Sequence, residues 1–113
     1  MVTLSLLLNI LVLIPVSLGL VTNAAWARES FGEHSPARGI LLSIYIAILL
    51  VSLILLFFDR PQAVAALLLV QIVYKVTTPF TVRTIRNPVV ISNLLIAAFH
   101  TVTLIFILKN TGV

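Results

Sequence analysis

Charge is scarce in this chain and cysteine is absent. Of its 113 residues 9% are charged and only three are acidic, against about 25% charged in an ordinary soluble domain. Such scarcity excludes a soluble globular fold: a chain that is 61% hydrophobic has too few polar groups to cover its surface in water, whereas lipid tails accept apolar side chains on the outside. Without cysteine there is no disulfide, no thiolate metal site and no thiol–disulfide chemistry. The seven basic residues give a net charge of +4, but they stand singly and form no patch that could follow a phosphate backbone, so nucleic acid is excluded as a partner. There is no nucleophile–base pair, no carboxylate dyad, no His-Glu-x-x-His and no phosphate-cradling glycine loop, and no enzymatic activity is expected of this chain by itself. No metal signature occurs either.

What the chain does contain is hydrophobic length. A transmembrane helix needs about 20 mostly apolar residues, and four such stretches follow one another at 3–25, 37–58, 62–82 and 89–108. The breaks carry turn chemistry: a polar loop from Arg28 to Ser35 with Gly32 inside it, a tight corner at Asp59-Arg60-Pro61, and a polar turn from Arg83 to Asn87. Three of the stretches open on proline, at Pro36, Pro61 and Pro88, where the missing N–H costs nothing and Ser35 or Asn87 can cap. Connections this short predict an all-α integral membrane protein, residues 1–113 forming one domain of four transmembrane helices in an up-down-up-down antiparallel bundle. Ala25-Trp26-Ala27 has the form of a leader cleavage site. A span is expected instead, because no basic residue precedes Arg28 and the apolar run is longer than that of a leader. Arg28, Arg38, Arg83 and Arg86 in the first and third connections, against Arg60 and Lys109 opposite, predict those connections in the cytoplasm and both termini outside.

The costly residues inside the spans are Asn9, Gln71, Lys75, Asn93 and His100. Residues equally far in sequence from the turn at Ile85 and Arg86 lie at one depth, which sets Gln71 level with His100 and Thr78 level with Asn93. Gln71, Lys75 and Thr78 share one helical face and Asn93, Ala97 and His100 another, so the two helices are expected to zip together, with a Gln71–His100 hydrogen bond. The same reasoning about Arg60 sets Tyr45 level with Lys75, for a hydroxyl or cation–π contact. Lys75 lies about 5 Å from the middle of its span. It either meets a substrate, a proton or a lipid headgroup inside the bundle or snorkels to the cytoplasmic headgroups, helped by carbonyls that Pro79 frees. The spans contain no Asp or Glu, so any counter-charge for Lys75 comes from a lipid phosphate or another subunit.

His100 near the centre of its helix suits a ligand to haem or to a pigment magnesium, or a hydrogen bond to a quinone; the alternative is a neutral imidazole bonded to Gln71. Glu29, Glu33 and His34 read as a solvated, locally paired loop, with Trp26 and Phe31 as interfacial anchors. Pro15 reads as a kink. Gly19 reads as a point of close helix approach, and Ala63, Ala65 and Ala66 as a small-residue contact surface.

The size and four-span plan are similar to those of small multidrug transporters and fluoride channels, and to those of anchor subunits of respiratory complexes with a lone intramembrane histidine. The first-helix glutamate of the transporters is replaced here by Asn9 and the glycine-rich motif of the channels is missing, so the likeness is one of architecture. The expected function is that of an accessory, structural or assembly subunit of a larger membrane complex, of respiratory, photosynthetic or oxidase type, with lipids and other integral membrane subunits as partners. The alternative is a small homo-oligomeric transporter or channel lined by Gln71, Lys75 and His100.

Overall fold

The computed structural model describes residues 2–58 and 60–111, and among them it is entirely helical: α1 (Val2–Thr22), α2 (Ala25–Phe31), α3 (Pro36–Phe57), α4 (Pro61–Val82) and α5 (Pro88–Thr111). All but the short α2 are long and apolar enough to cross a membrane. Each coincides with an expected span to within a few residues.

The helix starts follow the local chemistry. Pro36 opens α3 behind Ser35, whose Oγ accepts the Arg38 N–H at 3.1 Å, and Pro88 opens α5 behind Asn87, whose Oδ1 accepts the Val89 N–H at 2.9 Å. Each cap satisfies one of the amides that a first helical turn leaves without a partner. The start of α4 has Pro61 but no side-chain cap from Arg60, and the expected corner at Asp59 lies outside the described residues. Arg83 ends α4 in the left-handed conformation, with φ 66° and ψ 28°.

The expected loop between the first two long helices is corrected. The first helix stops at Thr22, Asn23 takes a left-handed turn at φ 55°, and the chain then forms α2 before closing on Gly32 at φ 87°. Asn tolerates the left-handed region better than most residues, and the Ala-Trp-Ala-Arg-Glu run that follows has enough helix propensity to start again. Arg28 and Glu29 therefore sit on a helix. Among the polar groups expected to pair locally, Arg28 Nε and Glu33 Oε1 lie 3.9 Å apart at an exposed position.

The chain divides into two compact units, Met1–Ser5 with Asp59–Val113, and Leu6–Phe58. In the first, α4 and α5 pack on each other, and the opening turn of α1 supplies Ser5. The second holds the rest of α1 with α2 and α3. There a Cβ on Gly19 would overlap the indole of Trp26, so the glycine makes room for a ring on α2. Phe31, at the end of α2, sets its ring edge-on to Tyr45 of α3, with centroids 6.0 Å apart.

Candidate functional site

The first unit carries the polar residues singled out on the third and fourth spans. Val64, Leu68, Gln71 and Lys75 are the buried residues of α4, one stripe at helical spacing. Val90, Asn93, Ala97, His100 and Thr103 are buried on α5. The polar groups thus lie within the same stripes as the aliphatic core.

Lys75 is 5% exposed and its Nζ donates to Asn93 Oδ1 at 3.1 Å. Asn93 Nδ2 in turn donates to Thr78 Oγ1 at 3.5 Å, and Thr78 donates to the Tyr74 carbonyl at 2.8 Å. Each member hands a proton to the next, so the Asn93 amide is held with its oxygen toward the ammonium and its nitrogen toward Thr78. The ammonium also lies 5.0 Å from the centroid of the Tyr74 ring, a cation–π distance. Pro79, within α4, has no N–H for the Lys75 carbonyl four residues earlier. The Lys75 side chain nevertheless reaches α5, where Asn93 accepts from it. Thr78 and Asn93, set level by the sequence, do meet.

Gln71 and His100 are both buried, at 1% and 0% exposure, but the hydrogen bond expected between them is not made. Gln71 Oε1 has no hydrogen-bond partner among the described residues. His100 Nδ1 instead lies 3.1 Å from Ser5 Oγ, which is 2.7 Å from Thr103 Oγ1; Thr103 donates to the Phe99 carbonyl at 3.3 Å. With the Thr103 proton given to Phe99, Ser5 donates to Thr103 and leaves a lone pair for an Nδ1–H of His100. A small hydroxyl on the first turn of α1 has displaced the longer glutamine. Because the imidazole is fully enclosed, a haem or pigment macrocycle on its Nε2 would require neighbouring side chains to move.

In the second unit Asn9 is 3% exposed and its Nδ2 donates to Ser52 Oγ at 3.1 Å, tying α1 to α3. Arg38, which the sequence assigns to a cytoplasmic connection, is buried. Its guanidinium donates to the Gly32 carbonyl at 2.9 Å and the Leu20 carbonyl at 3.0 Å. Both carbonyls lie at helix C-terminal ends, where unsatisfied C=O groups attract a cation. Tyr45 belongs to this unit and is buried; its ring partner is Phe31. Ser17 Oγ, two residues after Pro15, is buried without a hydrogen-bond partner among the described residues.

Ser5, Ser52 and Thr103 are the residues that sequence reasoning passed over, and Arg38 entered it only as a charge of the first connection. Their signal was spacing: Thr103 stands three residues after His100 on the same face. Among the described residues no group of three or more His, Asp or Glu side chains comes together. Comparison with protein-family models, with curated proteins and with solved structures finds no match to this chain.

Proposed function

We propose that this is a multi-pass integral membrane protein that serves as an accessory, structural or assembly subunit of a larger membrane complex. In this reading α1, α3, α4 and α5 cross the bilayer up-down-up-down, with the first and third connections in the cytoplasm. The reading is carried by the division of labour between faces. Asn9, Lys75, Asn93 and His100 are buried and tied to other side chains of the chain, while Leu11, Leu50, Val70 and Leu95 stand more than half exposed, one on each long helix. Such faces suit lipid and the helices of other subunits, which offer the same apolar packing. What the chain contributes to a complex is then shape. Gentle solubilisation of the native membrane, size separation and mass spectrometry test this: co-migration with larger integral proteins is expected, and a lone monomer or homodimer would overturn it.

One observation favours a second reading, a small homo-oligomeric carrier or channel. Lys75 is buried against an amide and not a carboxylate, an unusual expense for a purely structural group. Solute flux in liposomes that disappears in Lys75→Ala would support it.

A further inference from the structure

We propose that the Lys75–Gln71 face of α4 binds a small oxyanion that keeps a proton at neutral pH, of the hydrogen phosphate or hydrogen carbonate type. The inference rests on the carrier reading for the idea that this face takes a solute, and it names the class of that solute.

The argument is one of donors, acceptors and charge. The Lys75 ammonium has three N–H groups, and its one hydrogen bond among the described residues goes to Asn93. The amide protons of Asn93 point the other way, toward Thr78, so this network takes a proton from Lys75 and returns no further acceptor to it. One turn earlier on the same face stands Gln71, 1% exposed, whose Oε1 has no donor. Residues four apart on a helix are neighbours. Protons without acceptors and an oxygen without a donor thus stand one turn apart on one face of α4, both withdrawn from solvent, where each costs free energy. A group that bridges them accepts at one end and donates at the other.

Charge then narrows the class. None of the four long helices contains Asp or Glu, so the bridging group should also carry the negative charge that Lys75 lacks. Water has the right donor and acceptor but no charge. Chloride has the charge but no proton to give, and it would meet the negative end of the Gln71 carbonyl. Sulfate is likewise without a proton at neutral pH. Hydrogen phosphate and hydrogen carbonate have both, an anionic oxygen for Lys75 and a hydroxyl for Gln71. The four-carbon stem of Lys75 gives the ammonium the reach to admit a small ion.

The test uses the full chain in phosphatidylcholine nanodiscs and measures the unfolding midpoint at pH 7 and matched ionic strength in chloride, sulfate, phosphate and hydrogen carbonate. A ligand that binds only the folded chain raises the midpoint with concentration, and sulfate controls for the general stabilisation that such salts exert. The expected result is a concentration-dependent rise in phosphate or hydrogen carbonate beyond that in sulfate, abolished in Lys75→Met. In Gln71→Glu, which gives Lys75 a carboxylate from its own helix, the rise is also expected to vanish, from a higher starting midpoint. An equal effect of sulfate, a rise that persists in Lys75→Met, or no rise with either protonated anion would overturn the proposal. The experiment needs neither a partner nor transport, so its failure is separate from that of the complex and carrier readings.

Discussion

At the scale of single residues, the question is what a buried lysine needs. In the first unit it has an amide oxygen and an aromatic face, both weak substitutes for water. Removing the acceptor should therefore hurt more than removing the charge. Asn93→Leu leaves an ammonium buried without its partner and is expected to cost at least about 1–3 kcal/mol. Lys75→Met keeps the volume, deletes the charge and is expected to be close to neutral. Reversible unfolding in mixed micelles measures both, and an Asn93→Leu chain as stable as Lys75→Met would show that the bond contributes nothing. The sequence showed Lys75, Asn93 and Thr78 on facing stripes, because period and turn position are written in it. It did not show that His100 would choose Ser5 over Gln71, since that depends on a residue 95 positions away.

Among the elements, the second unit shows how short-range chemistry shapes a connection. Asn23 turns the chain, Gly19 opens a slot, and the Trp26 indole fills it. Arg38, in the first turn of α3, gathers the Leu20 and Gly32 carbonyls and so ties the end of α1 and the cap of α2 to the start of α3. Gly19→Ala is expected to displace the indole, at less than the about 1–3 kcal/mol of overpacking a closed core, because the ring is 44% exposed and can swing outward. Trp26 is the only tryptophan, so its emission reports the displacement directly; an unchanged spectrum and stability would show that the slot is slack. The caps at Ser35 and Asn87 and the proline starts were legible beforehand, being properties of three or four adjacent residues. Helix α2 was not: its seven residues straddle the end of the expected first span and the start of the expected polar loop, and they read as a helix only once the left-handed turn before them and the arginine clamp after them are seen.

For the whole molecule the proposed topology can be read by labelling, since four helices are long and apolar enough to cross a bilayer. Absence of cysteine makes the experiment clean, because any single introduced thiol is the only one. Ser30→Cys and Thr84→Cys are expected to react with a membrane-impermeant maleimide from the cytoplasmic side, and Gln62→Cys from the opposite side. Labelling of all three from one face would overturn the up-down-up-down reading, while a clean reversal would invert the orientation and leave the topology standing.

By itself the sequence determined the number and approximate length of the long helices and the proline starts of three of them, because hydrophobic run length, proline position and capping residues act within a few residues of one another. It also determined which polar residues share a helical face, through the period of 3.6. Only the tertiary structure decided the partners: Lys75 with Asn93, Asn9 with Ser52, His100 with Ser5, and Arg38 with two helix ends. Hydrogen bonds are settled over a few tenths of an ångström, by helix rotations that periodicity leaves free, and a buried polar atom takes whichever neighbour packing brings within reach.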